Sequence, residues 1–448
     1  MKFFLTDINQ EKERLSLINF LFISAALFLV QGNLPYFLRF PETSWAWSPI
    51  PEFPPASQMA EALEKGGLSG LSRQLGLILL CCWGIFGLFR VKWQQIRIKG
   101  LLGWLIIFFL FWVLISVAWS EEIPVSFRKV LVLGGFWLAA AVFAARFTFR
   151  KIIKFALFSS GLLLTLGVLA EVIRGRFHPF PSIWGYWFIG EMHPSTQPQV
   201  CGILLISAMV LIWQAAGRSW FYYTIAIVAL LFLFLTHSRT YLYGSLLVGS
   251  VFWIMATPSG DRLRHAIWYL LGFLAFLCLF YFIVGDKLVN MGKTSFLMGR
   301  DPASVSTLSG RFDLWQICID QAMESPLLGH GYGSFVGAKG MLKIAERLGW
   351  GAPNPHNGYI ELLLEVGLIG TMVYLLILIL ALKNSFRSLM DSGSPHGGFA
   401  FCMLLLYSFA MIFLGFPPSY QLFIVFTYLS KYAFVVEHIK KKQPITSR

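Results

Sequence analysis

The chain has little charge. Asp, Glu, Lys and Arg make up 13% of its 448 residues, about half the share usual in soluble domains. It also lacks a cysteine framework. Cys81 and Cys82 are adjacent, Cys201, Cys278 and Cys402 fall inside apolar runs, and Cys318 stands alone. No spacing fits a disulfide scaffold or a zinc site. No small-residue cleavage site follows the first apolar run, so that run reads as an uncleaved span. Internal repeats and low-complexity tracts are missing, and with them the inverted halves common in transporters. The net charge of +14 does not point to a nucleic-acid partner, because no soluble basic domain is left to carry it.

What the chain has in abundance is apolar residues, at 57%, and aromatics, at 17%. Runs of about 20 apolar residues cross a bilayer core as helices, and a lone segment in lipid must be helical to satisfy its backbone. The pattern predicts an all-α polytopic membrane protein with about twelve transmembrane helices. The spans are 15–38, 74–89, 100–119, 129–145, 152–173, 200–216, 220–236, 241–257, 265–284, 358–382, 399–416 and 420–436. The chain divides into residues 1–284 with spans one to nine, a large loop at 285–357 holding short helices, and residues 358–448 with spans ten to twelve and a basic tail.

Basic residues set the orientation. Arg90, Lys92, Arg97 and Lys99 follow span two, and Arg146, Arg150, Lys151 and Lys154 follow span four. Arg262 and Arg264 follow span eight, Lys383 and Arg387 follow span ten, and Lys440, Lys441 and Lys442 follow span twelve. These connectors share one side, which the positive-inside rule makes the cytoplasm, with both termini there. The other side carries a Pro- and Trp-rich loop at 41–55, an aromatic loop at 174–199, the turn His237-Ser238-Arg239, and the loop 285–357. That last loop is too long for a simple connector and is the first functional candidate.

It ends in Pro353-Asn354-Pro355-His356-Asn357-Gly358. Two prolines forbid helix up to that point. Asn357 suits an N-cap, and a helix follows from Gly358. His356 therefore stands at a helix N-terminus, whose positive end disfavours imidazolium and leaves the ring able to accept a proton. The pattern equally fits an interfacial histidine in a plain capping turn. Glu361 and Glu365 follow at i,i+4 on one face. Carboxylates inside a span face a polar cavity or a partner, while Glu361 also fits a headgroup-level helix end.

Arg239 lies on the side where arginine is scarce. Its planar fork suits phosphate, and its place also suits a snorkelling anchor. Arg311 opens a stretch in which Phe312, Trp315, Ile319 and Ala322 recur at helical spacing. This predicts an outer helix packed through those residues and stopped by Pro326. Arg311 is in its first turn, the wrong end for dipole compensation, which favours a ligand role. Gly329-His330-Gly331-Tyr332-Gly333 follows no strand and lacks the lysine of a phosphate loop, so it reads as a flexible turn. His178, His193, His237, His265, His330, His396 and His438 show no metal-ligand spacing. No metal and no cofactor is expected.

Four pieces in order resemble the O-antigen ligase and polysaccharide polymerase superfamily of bacterial membrane glycosyltransferases. They are Thr236-His237-Ser238-Arg239, then Ser309-Gly310-Arg311 with Trp315, then the run from Ser325 through Gly329-His330-Gly331-Tyr332-Gly333 to Phe335, and last Pro355-His356-Asn357-Gly358 through Glu361 and Glu365 to Gly367. The specific match runs from about Thr236 to Gly370. A weaker echo at Gly190 to Pro194 departs from the family, which often has Pro-Asn where this chain has Pro194-Ser195.

The resemblance implies a GT-C-like fold in the bacterial inner membrane, with the active site facing the periplasm. It implies a donor glycan on undecaprenyl pyrophosphate and a metal-independent, inverting transfer. The acceptor is either lipid A core, for a ligase, or a lipid-linked repeat unit, for a polymerase. Membrane lipids are the remaining partners. His356 matches the family's essential base, and Arg239 and Arg311 match the arginines that hold pyrophosphate. Asn357, Glu365 and Arg128 are supporting candidates. The rival readings are a polytopic transporter or lipid-linked glycan flippase, and a non-catalytic partner of a polysaccharide machine. A transporter would place its charged residues near the bilayer midplane, whereas here they cluster at the outer face.

Overall fold

Eleven of the twelve predicted spans fall on helices, and span nine lies outside the described residues. The computed structural model describes residues 17–30, 69–90, 96–178, 187–190, 196–214, 220–257, 311–333, 339–348, 354–392, 394–415 and 419–436. The loop at 41–55, the first part of the large loop and the basic tail also lie outside them. The helices are α1 Leu17–Val30, α2 Ser69–Arg90, α3 Gly100–Ile115, α4 Ile123–Arg146, α5 Phe149–Ile173, α6 Thr196–Gln214, α7 Trp220–Leu235 and α8 Arg239–Ala256. After the gap come α9 Arg311–Ala322, α10 Lys339–Leu348, α11 Gly358–Ser392, α12 Pro395–Ala410 and α13 Tyr420–Ala433. Six of the described helices are long and apolar enough to cross a membrane.

Exposure shows which faces meet lipid. In α3, Leu102, Gly103, Ile106, Phe109 and Val113 are buried at helical spacing. Trp104, Phe108 and Phe111 on the other faces are exposed. So apolar an exterior would carry a heavy hydration cost in water and carries none in hydrocarbon. Helix α6 differs, being buried on nearly every side. It forms the centre against which α5, α7, α8 and α12 pack.

The all-α expectation misses one feature, a short ribbon. Strand β1, Ile96–Ile98, pairs antiparallel with β2, Phe434–Val436, Arg97 facing Val435. The Lys99 N–H continues the clamp to the Ala433 carbonyl at 2.7 Å. Both segments follow spans that the sequence reading ends on the same side.

Helix α11 holds a second departure. The expected span begins at Gly358, but the helix is broken at Gly367, where φ is 66° and ψ −172°. The Gly358 N–H bonds the Met411 carbonyl at 2.7 Å. The Tyr374 hydroxyl, sixteen residues on, lies 3.8 Å from Met411 Sδ. A straight helix would separate Gly358 and Tyr374 by about 24 Å, farther than a tyrosine and a methionine side chain can bridge. The break folds the first piece, 358–366, back over the same helix end. Lipid-facing periodicity starts only after the break, with Leu368, Met372, Leu375, Leu376 and Ile379 exposed. Before it, Leu362, Leu364 and Val366 are fully buried. Residues 358–366 are thus a buried half-helix, and the lipid-facing span begins at Leu368.

The loop helices pack on this half-helix. Leu314, Cys318 and Ala322 of α9, Ile344 of α10 and Leu364 form a small core of their own. This corrects the expected packing face of α9. Only Ala322 of the predicted four is buried; Phe312 and Ile319 are exposed and Trp315 is half-buried. The helix carries two apolar stripes, and beside a membrane the larger one need not face protein. Cys318 lies on the inner stripe, where burial, and then the negative charge of Glu361, pushes its thiol up to about 12.

Candidate functional site

The turn before the half-helix is fixed on three sides. The Asn354 side-chain oxygen accepts the His356 N–H at 2.8 Å. The Asn357 side-chain oxygen accepts the N–H groups of Tyr359 and Ile360 at 3.0 and 3.2 Å. That is the N-cap geometry expected of Asn357. The indole of Trp315 donates to the Pro355 carbonyl at 2.9 Å. His356 itself sits at φ 50°, and among the described residues only His237 is another non-glycine with positive φ. Each of these histidines stands just before the N-cap of a helix, α11 or α8. Replacing Asn357 with alanine should cost about 1 kcal/mol by losing the cap, and Asn357→Asp should keep most of it. Thermal unfolding in detergent checks both.

Two of the candidate groups meet at the turn 411–415, after α12: the capped turn of His356 and Arg311. Gly358 bonds Met411 there, as above. Arg311, the first residue of α9, donates from Nη1 to the Phe413 carbonyl at 3.4 Å. Arg239 reaches the same level by register. Helix α8 runs antiparallel to α12, with Gly398 against Phe252 and Gly244 against Leu406 and Phe409. Five residues back from Gly244, Arg239 comes level with residues 411–414. Arg239 is half-buried and is the first residue of α8. Arg311 and the cap at Asn357 thus bring two helix N-termini to one turn, with the N-terminus of α8 at the same level, an arrangement suited to an anion. Arg128, grouped with these residues in the sequence reading, lies exposed on α4.

Glu361 and Glu365 are both buried, at 6% and 3% exposure, so both face protein. A carboxylate oxygen of Glu361 comes within 2.6 Å of where a side chain on Gly415 would begin, beside Asn354. Glu365 points toward the other end of the half-helix. Buried Tyr332 lies there, and burial, then the charges of Glu365 and Glu361, push its phenol well above the ordinary range, with Arg73 opposing.

The glycine-rich run that carries Tyr332 is a packed strap, where the sequence reading has a flexible turn. The His330 N–H bonds the Leu364 carbonyl at 2.8 Å, and the Tyr332 N–H bonds Ser116 Oγ at 3.0 Å. The His330 Nε2 meets the Gln321 carbonyl at 3.1 Å. Glu121 reaches both His330 and Lys343, at 3.6 and 3.7 Å.

A further support was not visible in the sequence. Glu171, buried at the end of α5, accepts the N–H groups of Ile189 and Gly190 at 3.1 and 2.7 Å. The segment so held bonds the end of α7 through Trp187 to the Thr236 carbonyl and through the Phe188 N–H to the Leu235 carbonyl. It braces the turn that presents Arg239. The only cue was an acidic residue at the end of an apolar run.

These features define a polytopic helical membrane protein with a buried half-helix whose N-terminus shares the turn 411–415 with Arg311. Residues 224–375 match the family described as O-antigen ligase. The stretch covers about a third of the chain and contains Arg239, Arg311 and His356. Over it the chain is similar to the O-antigen ligase family, in agreement with the resemblance read from the motifs. Comparison with curated proteins gives no match.

Proposed function

We propose that the protein is a membrane glycosyltransferase. It moves a glycan from undecaprenyl pyrophosphate to an acceptor sugar hydroxyl at the outer face of the bacterial inner membrane. With lipid A core as acceptor it is an O-antigen ligase; with a lipid-linked repeat unit it is the related polymerase. Both termini lie in the cytoplasm and the site opens to the periplasm. The observation that supports this most is the meeting of Arg311 and the capped turn of His356 at residues 411–415, with Arg239 level with that turn at the start of α8.

In this reading His356 takes the proton of the acceptor hydroxyl. The freed oxygen attacks the anomeric carbon of the donor from the side opposite the pyrophosphate, inverting it. The carbon–oxygen bond to pyrophosphate breaks, and undecaprenyl pyrophosphate departs with the electron pair. Arg239 and Arg311 stabilise that charge with fixed donors. The energy comes from the donor bond, so neither nucleotide nor metal enters a step.

The test is transfer by the purified protein in lipid nanodiscs, supplied with an undecaprenyl-pyrophosphate glycan and an acceptor sugar lipid. Appearance of the joined product supports the proposal, and an intact donor after prolonged incubation defeats it. Arg311→Lys keeps the charge but loses the planar fork. It should slow transfer by about ten- to a hundredfold, the value of a charge-assisted hydrogen bond. Single-turnover rates at saturating donor check this.

A further inference from the structure

We propose that α9 is an interfacial helix, whose outward apolar stripe rests on the acyl chains of the adjoining bilayer leaflet. The proposal stands apart from the glycosyltransferase reading, because it concerns what the helix rests on and not what is transferred. At 3.6 residues per turn α9 has three sides, each about a third of a turn from the next. Leu314, Cys318 and Ala322 form the inner side, in the small core they share with Leu364 of the half-helix. Phe312, Ile319 and Met323 form the second side, an exposed stripe, with Phe312 at 53% and Met323 at 65%. Met323 stays on the helix line because its N–H bonds the Ile319 carbonyl at 3.0 Å. Asp313 and Asp320 form the third side and are also exposed.

Continuity with the lipid-facing surface selects the occupant. The chain leaving α9 carries exposed Leu327 and Leu328. It is tied directly to the membrane wall. The Leu368 N–H bonds the Pro326 carbonyl at 2.8 Å, and the Trp119 indole donates to the Leu328 carbonyl at 3.2 Å. Leu368 opens the lipid-facing part of α11, and Phe111, Leu114 and Ile115 are exposed at the end of α3, which packs on α11. The stripe therefore extends an existing lipid wall. Aromatic side chains mark the same level. Trp112 lies 5.7 Å from Trp119, and Trp315 lies 5.8 Å from Phe312, between ring centroids. The three indole N–H groups are taken up by the carbonyls of Val366, Leu328 and Pro355. Their rings are left with apolar surface to present, as tryptophans do at a membrane–water boundary.

The charged sides set the roll of the helix. With the stripe against hydrocarbon, the aspartates turn toward water, the arrangement of a helix lying in the interface plane. Helix α10 agrees. It joins the inner core through Ile344 and exposes Lys343, Glu346 and Arg347. In water the stripe would carry a hydration cost that acyl chains remove. The seat has a consequence for the candidate site. Arg311 heads α9, and the Trp315 indole holds the Pro355 carbonyl next to His356. The bilayer surface thus sets the level at which both residues stand.

The test is photo-crosslinking of the full chain in phosphatidylcholine nanodiscs. Phe312→benzoylphenylalanine and the same replacement at Met323, Asp313 and Asp320 are made one at a time. Ile379, exposed on the lipid side of α11, is the reference position. Mass spectrometry after irradiation reads phosphatidylcholine adducts at each. Phe312 and Met323 should give adducts within about threefold of Ile379, and the aspartate positions about tenfold fewer, because an interfacial helix immerses one side only. Phe312 and Asp313 are chain neighbours, so a helix that had come loose would label both alike. Equal adducts at the four positions, or none at Phe312 and Met323, overturn the proposal. A covalent dimer in place of lipid adducts makes the stripe a contact between copies and overturns it as well. If lipid adducts follow the stripe while the protein transfers no glycan, the seat stands and the glycosyltransferase reading falls.

Discussion

His356→Asn is expected to lower glycan transfer by about 10²–10⁴-fold, the usual contribution of a general base. Asparagine is the better replacement for this test. The position has φ 50°, where asparagine is well tolerated and alanine costs about 1–2 kcal/mol. The hydrogen bonds that shape the turn come from Asn354, Asn357 and Trp315 and use the backbone of residues 355–360. These bonds remain available when the imidazole is replaced. His237→Asn is the matched control, since His237 has the same φ and the same place before an N-cap. It should slow transfer far less. The measurement is single-turnover transfer with donor held saturating, so that a change in donor affinity cannot mimic a lost base. A His356→Asn protein with undiminished rate would remove the imidazole from the chemistry and leave the arginines as the whole of the site.

Much of the helical layout was legible because lipid imposes a single rule, a long apolar run for each span. That rule marks 100–119 and 152–173 equally well, since both are apolar throughout. It fails where a helix is buried in protein, because burial on all sides and immersion in lipid leave the same apolar signature. Residues 358–366 are such a case, and the sequence reading merges them with the span after Gly367. The same blindness misassigned α9, whose Phe312 stripe is the more apolar yet faces outward. The turn at His356 was readable in detail because prolines and asparagine act locally. The brace from Glu171 to Gly190 was not, because it joins residues nineteen apart through a loop with no fixed pattern.

Gly367→Ala should damage the protein far more than one added methyl group usually does in a helix. The backbone at φ 66° and ψ −172° is open essentially to glycine alone, and another residue there costs about 1–3 kcal/mol in strain. Its methyl would also lie 2.6 Å from the Gly329 nitrogen and closer still to the Leu327 carbonyl. Neither is a side chain that can swing away. The strap would have to withdraw, taking with it the bonds from Leu368 N–H to the Pro326 carbonyl and from His330 N–H to the Leu364 carbonyl, each 2.8 Å. Each such bond contributes about 1 kcal/mol. The sum, roughly 3–5 kcal/mol, is a large share of a typical folding stability of about 5–15 kcal/mol. The midpoint of thermal unfolding should fall by about 3–5 °C, since unfolding entropy is about 2 cal/mol/K per residue. Gly134→Ala is the control, because a side chain there meets nothing within 4 Å, and it should leave the midpoint unchanged or slightly raised. A Gly367→Ala protein as stable as wild type would mean that 358–392 can run as one straight helix. His356 would then stand well away from the turn at 411–415, and its meeting there with Arg311 would have no structural basis.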